Sequence, residues 1–234
     1  MERLGKVSVV APVSEQSGVA HSITLVHPLR VREVHIGGRF VGLGVNGAPA
    51  DCVRLAVMEL LDEPPDIVLS GINGGLNTGF NVLYSGTVAA AMEGGLLGIP
   101  SMAVSLEHGA KPDFDLAAEV AASLIHLLKA ARNAAGKDPV VLNVNIPGIA
   151  REQMKGVRIT RQGRSGAEEG FIRRKHPRGG YYYWIGEEQR ERVPAEHEDM
   201  QALRQGYVSV TPLHCDLTCR ALYARLRRRK WPLF

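Results

Sequence analysis

With 234 residues, 45% of them hydrophobic and 22% charged, the chain is long enough to bury one sizeable core and too apolar for a disordered or collagen-like protein. The net charge of +4 belongs to the last fifteen residues, which hold six basic and no acidic side chains; the rest carries 22 basic against 24 acidic, so no broad basic face tracks a phosphate backbone, and nucleic-acid binding falls to a minor hypothesis. Three cysteines argue against a disulfide framework, the uncharged run from Ile67 to Met92 is too rich in Gly, Asn, Ser and Thr to span a bilayer, and the start from Met1 to Lys6 lacks a secretory signal, so a cytoplasmic protein with no membrane partner is expected.

Lys6 to Pro12 is a β-branched run closed by proline and reads as a buried strand. Ahead of it, Glu2-Arg3-Leu4-Gly5 resembles the last turn of a helix with its left-handed glycine, so the chain reads as starting inside a βα unit. Ser22 to Val26, Leu29 to Val34 and Phe40 to Val45 are expected as strands, and Pro49 to Leu61 as a helix with Asp51 in its first turn. Asp66 to Ser70 is a second buried-type strand, followed by the loop Gly71 to Asn81. The pattern then predicts a helix over Ser85 to Leu97, a strand over Ser101 to Ser105, a helix over Asp115 to Ala135 and a strand over Val140 to Ile146. Strands alternating with helices of this length predict a parallel, doubly wound α/β sheet.

From Gly156 the texture changes. Gly156 to Thr160 and Gly180 to Gly186 read as strands flanking a basic loop, and Glu187 to Asp199 as an acidic stretch with six acids against two bases. That is too little apolar content for a separate core, so the region is expected to be an arm or hairpin that packs on another subunit. Tyr207 to Leu213 returns as a strand and Leu217 to Arg229 as a final amphipathic helix. Residues 1–150 thus form the core, and 151–234 the arm, returning strand and last helix of the same domain.

Ligands of open α/β sheets bind beyond the carboxyl ends of the strands, which singles out the loops after Val10, Ser70 and Ser105. The loop Gly71-Ile72-Asn73-Gly74-Gly75-Leu76-Asn77-Thr78-Gly79 has no charge but many groups that expose backbone N–H, and the next helix opens with Ser85-Gly86-Thr87, a ready anion site. The plainer alternative, that Ser85 is a helix cap and the glycines only make turns, has equal weight. No Gly-Lys-Ser/Thr follows the glycines and their spacing is not Gly-x-Gly-x-x-Gly, so neither a Walker loop nor a dinucleotide fingerprint is present. Asp113-Phe114-Asp115 reads as an acidic helix start, His214, Cys215 and Cys219 make a weak zinc signal, and Tyr181 to Trp184 read as a packed hairpin face.

Val9-Val10-Ala11-Pro12, Glu15-Gln16-Ser17-Gly18, His21-Ser22-Ile23-Thr24-Leu25, Gly47-Ala48-Pro49-Ala50-Asp51-Cys52-Val53, Ser70-Gly71-Ile72-Asn73, Tyr84-Ser85-Gly86-Thr87 with the following Val88 to Gly94, Asn143-Val144-Asn145-Ile146-Pro147 and Gly206 to Leu213 resemble the survival protein SurE family of nucleotidases along the whole chain. The resemblance implies a three-layer Rossmann-like doubly wound sheet with an extended C-terminal hairpin and a swapped C-terminal helix. It also implies hydrolysis of nucleoside 5′- and 3′-monophosphates, one divalent cation per subunit (Mg²⁺ or Mn²⁺), and a homodimer or homotetramer. By motif, Ser17 and Asn73 match the family's neutral metal ligands, and Ser85, Gly86 and Thr87 its phosphate-binding turn; His21 and Asn77 fall on the substrate side. The family's opening strand, ending in Asn-Asp-Asp-Gly and followed by a helix, has no counterpart here, and with it go the catalytic aspartates. A second reading therefore stands beside the enzyme, a non-catalytic nucleotide- or phosphate-binding remnant; without the first strand, Lys6 to Pro12 and Asp66 to Ser70 are expected to close up and pair directly, to take another segment between them, or to leave the chain poorly stable.

Overall fold

The computed structural model describes residues 5–109, 112–136, 138–164, 170–186, 193–229 and 231. Its centre is made by two fully buried, uncharged strands, β5 (Ser101–Leu106) and β6 (Val141–Ile146), which pair in parallel from Ser101↔Val141 to Leu106↔Ile146. Burial on both faces is what a parallel central strand requires. β4 (Val68–Gly74) adds in parallel to β5, β10 (Val208–Leu213) runs antiparallel to β6, and β7 (Val157–Ile159) runs parallel to β10, giving the order β4-β5-β6-β10-β7. One face carries Met102, Val104, Leu142, Val144, Ile146 and Val210 against α4 (Phe114–Ser123) and α5 (Ile125–Ala135). On the other, Ala103 and Val141 meet Val88 and Ala91 of α3 (Gly86–Leu96). The three-layer α/β architecture is therefore present.

A second sheet holds β1 (Val10–Pro12), β3 (Arg39–Val45) and β2 (Val31–Ile36), with β1 parallel and β2 antiparallel to β3. α1 (Pro49–Leu55), which runs on into a π turn over Ala56–Leu60, packs on β1 and on α3; α3 in turn packs on β4, β5 and β6. β1 and β4 are each the end strand of their sheet and are not paired with each other. No strand among the described residues bridges the two sheets. Val7 and Val9 are exposed, and β4, an end strand of its sheet, is only half-buried. β1 and β4 have therefore not closed up to pair directly.

Several elements depart from the sequence pattern for local reasons. Ser22 to Val26 is not a strand, because the N–H and hydroxyl of Thr24 are both taken by the Asp51 carboxylate, at 3.0 and 2.7 Å, instead of by a ladder. The long helix over Asp115 to Ala135 breaks at Leu124, where the Ser123 hydroxyl bonds back to the Val120 carbonyl at 2.7 Å. The basic loop contains β8 (Phe171–Lys175), which pairs antiparallel with β9 (Tyr181–Ile185), and Arg173 lies 3.4 Å over the Tyr181 ring. Tyr181 to Trp184 are exposed, so among the described residues no core covers this hairpin face. α6 (Asp199–Arg204) was not foreseen, and the final helix, α7 (Arg220–Leu226), is shorter than its pattern. Residues 187–192 of the acidic stretch lie outside the described residues. Among the described residues no helix is long and apolar enough to cross a membrane.

Candidate phosphate-binding site

The site begins where β4 outgrows its partner. Ser70 pairs with Ala103 but Asn73 with Ser105, so Gly71 and Ile72 bulge out opposite Val104. Gly71 sits at φ +118°, and a Cβ there would lie 2.3 Å from the Val104 carbonyl oxygen, so no other residue fits. The bulge turns the chain away from the sheet into the loop that the glycines and asparagines build. Asn73 Nδ2 donates to the Gly75 carbonyl at 2.9 Å, and the ring of His108, from the loop after β5, lies over Gly74 and Gly75.

A polar seam beneath this loop seats it. The N–H of Asn77 donates to Asn145 Oδ1 at 2.8 Å and its Nδ2 to Ser105 Oγ at 2.7 Å, while its carbonyl accepts from Asn143 and Asn145 at 2.8 and 3.1 Å. All four residues are buried. Asn77 thus spends its amide on β5 and β6, facing inward. After the one-turn α2 (Asn81–Tyr84), Ser85 caps α3, its Oγ accepting from Val88 N–H at 3.1 Å. The cap reading of Ser85 holds, and it leaves the N–H groups of Gly86 and Thr87 with no partner among the described residues. The first turn of α3 has no acid.

The loop after β1 lies across that helix end. Ala20 N–H donates to the Tyr84 carbonyl at 2.9 Å, and a Cβ on Gly86 would come within 2.9 Å of Pro49, 3.1 Å of Val19 and 3.3 Å of the Gln16 carbonyl oxygen. The segment bearing Ser17 is thereby brought to Ser85, Gly86 and Thr87. His21 is placed elsewhere: its Nε2 meets Glu93 Oε2 at 3.0 Å, seven residues and roughly 10 Å along α3 from Gly86. Glu93 is 3% exposed and also accepts from Arg54 Nη1 at 3.0 Å.

The donor set for a divalent cation is thin. Ser17 Oγ donates to Glu15 Oε1 at 3.1 Å and is exposed, Asn73 offers one neutral amide oxygen, and no group of three His, Cys, Asp or Glu stands together among the described residues. Hard divalent cations take several oxygens with carboxylates prominent among them. The described residues alone do not fit one.

The sequence model described as "Survival protein SurE" matches residues 1–169. The chain belongs to the SurE family. It is 46% identical over 212 residues to a protein named 5′-nucleotidase SurE from Syntrophobacter fumaroxidans, an alignment covering 91% of this chain and 84% of that one. The protein of the same name from Rhodopirellula baltica is 43% identical over 228 residues, covering 97% and 89%. The crystal structure of SurE from Aquifex aeolicus superposes with a TM-score of 0.79 at 40% identity, covering 97% of this chain and 90% of that one.

Within this SurE member the residues that sequence reading passed over are acids that fasten loops. Asp51, read only as a dipole partner, accepts from Thr24 and from Ala48 N–H at 2.8 Å. Glu93, inside an alanine-rich helix, and Asp199, at the end of an acidic run, are both buried. An acid amid small apolar residues was the available signal for Glu93; nothing local marked Asp199.

Proposed function

We propose that the chain hydrolyses nucleoside 5′-monophosphates, and 3′-monophosphates as further substrates, to nucleoside and phosphate. The observation that carries this reading is the open end of α3, where the N–H groups of Gly86 and Thr87 project beside the Ser17 segment with no acid to repel an anion. Fixed donors of this kind favour the charge that grows on phosphoryl oxygens as the ester bond breaks. The names of the curated relatives, similar over nine-tenths or more of this chain, support hydrolysis over a non-catalytic remnant. A divalent cation, Mg²⁺ or Mn²⁺, belongs to the proposal through the family resemblance, although the described donors alone do not fit it.

Assembly as a homodimer or homotetramer, with α7 reaching a partner copy, is part of the same proposal, supported by the exposed aromatic faces of β9 and α7. Placement in the cytoplasm goes with it. The test is phosphate release from 5′- and 3′-nucleoside monophosphates, with and without Mn²⁺. Release that is lost in a Gly86 variant supports the reading. Nucleotide binding without turnover would replace it by the binding protein, and neither binding nor turnover would overturn it.

A further inference from the structure

Asp199 is wholly buried at the start of α6, yet most of its bonding serves residues far from that helix. Its Oδ2 accepts the N–H of Gly79 at 2.8 Å, and its Oδ1 accepts from Met200 N–H at 2.8 Å and Gly163 N–H at 3.2 Å. Gln162 Nε2 donates to the carbonyl of the same Gly79 at 2.8 Å. Both backbone groups of one glycine in the site loop are therefore held by the root of the arm. That root is itself closed, with Arg161 N–H donating to the His197 carbonyl at 2.8 Å and Asp199 N–H to the Arg161 carbonyl at 3.0 Å.

On the other side of Gly79, Asn77 is fixed to β5 and β6 by the polar seam. From Gly79 to the Ser85 cap there are only α2 and its flanks, so wherever Gly79 is held, the Ser85-Gly86-Thr87 turn follows. Burying a carboxylate is costly, and here burial pushes the Asp199 carboxyl above its ordinary range despite three N–H donors that pull it down. An apolar side chain in its place would leave the N–H groups of Gly79, Gly163 and Met200 without this acceptor, so the carboxylate is what holds these three backbone segments together.

We infer that Asp199 and Gln162 are positioning residues that clamp Gly79 and so fix the phosphate-binding turn, which makes the root of the arm part of the site. The inference rests on the phosphate reading for its consequence, but the clamp can be measured without it. Asp199→Asn leaves a side chain of the same size that places an NH₂ against one of the N–H donors; Gln162→Ala removes the second hold and leaves the buried carboxyl in place.

Hydrogen exchange and calorimetry with inorganic phosphate are to be run on the full chain and both variants, with nucleotide turnover alongside. Each variant is expected to exchange about tenfold faster over residues 79–88 with β5 and β6 unchanged, to bind phosphate about tenfold more weakly, and to raise KM more than it lowers kcat. Unchanged exchange over 79–88 in both variants would overturn the clamp, as would exchange that rises equally through β5 and β6. Faster local exchange in a protein whose parent binds no phosphate would leave the clamp standing and sink the phosphate reading instead.

Discussion

The backbone N–H of Ala20 donates to the carbonyl of Tyr84 at 2.9 Å, fastening the loop after the first strand to the residue just ahead of the Ser85 cap. Two loops far apart in sequence thereby share one end of α3, and Gly86 lies where they meet. A methyl group on Gly86 would stand 2.9 Å from Pro49 and 3.1 Å from Val19. Gly86→Ala is therefore expected to push the Ser17 loop off the helix end, at a cost of about 1–3 kcal/mol, and to abolish phosphate binding. Calorimetry with phosphate and a thermal melt check this. Unchanged binding would show that the anion does not sit at α3.

Glu93 joins His21 to Arg54 across the α1 and α3 packing. Its two partners are partly exposed and can turn to water, so the change falls short of a fully buried pair. Glu93→Ala is expected to cost about 2 kcal/mol, lowering Tm by several degrees, and to free the His21 segment to exchange faster. His21→Ala alone should change stability less than Glu93→Ala does. If His21→Ala instead leaves stability unchanged and raises KM for nucleotide sharply, His21 acts on the substrate side.

The thiols separate by environment. Burial, with the neighbouring Asp51 carboxylate, pushes Cys52 from an ordinary 9.0 up to about 12, and burial also raises Cys215, while Cys219 is exposed. Iodoacetamide at pH 8 should label Cys219 first and leave Cys52 intact until the protein unfolds, as read by mass spectrometry. The raised value also has a sign for stability. The unfolded thiol ionises above about 9 while the folded one stays neutral, so stability supplied by Cys52 is full below that and is lost as pH climbs toward about 12. Cys52→Ala should flatten that alkaline loss; an unaltered slope would place its cause elsewhere.

The parts legible in the sequence were those where one local pattern had one structural meaning. Short, largely apolar runs without charge at Ser101 to Ser105 and Val140 to Ile146 became the two buried central strands, and the serine and glycine after Tyr84 marked the start of α3. What stayed hidden depends on partners distant in the chain. Ser22 to Val26 has a strand's composition, but Asp51, 27 residues beyond Thr24, claims its polar groups. Asp199 reaches Gly79 across 120 residues, and no periodicity reports such a bond. Asn77, whose amide was expected to face substrate, is turned inward because Ser105 and Asn145 present buried polar atoms that need partners.

The free edges of β1 and β4 allow the most direct test of how the site is completed. Among the described residues both strands pair on one edge only, β1 with β3 and β4 with β5, and the helices packed on them, α1 and α3, pack on each other. A strand placed between those edges would gain backbone partners on both sides and cover Val7, Val9 and the half-buried β4. Its carboxyl end would emerge between the Ser17 loop and the Asn73 loop, since ligands of such sheets gather at that end. A version extended ahead of Met1 by a strand ending in Asn-Asp-Asp-Gly and a helix, as the family resemblance implies, is therefore expected to melt at higher temperature. It should also release phosphate from nucleoside monophosphates at least about a hundredfold faster in Mn²⁺, because it adds two carboxylates to a neutral donor set. Both proteins are assayed at equal folded concentration. Equal metal-dependent rates would mean that the chain from Met1 already holds its cation, with Glu15, whose carboxylate lies 3.1 Å from Ser17 Oγ, as the first residue to replace by glutamine.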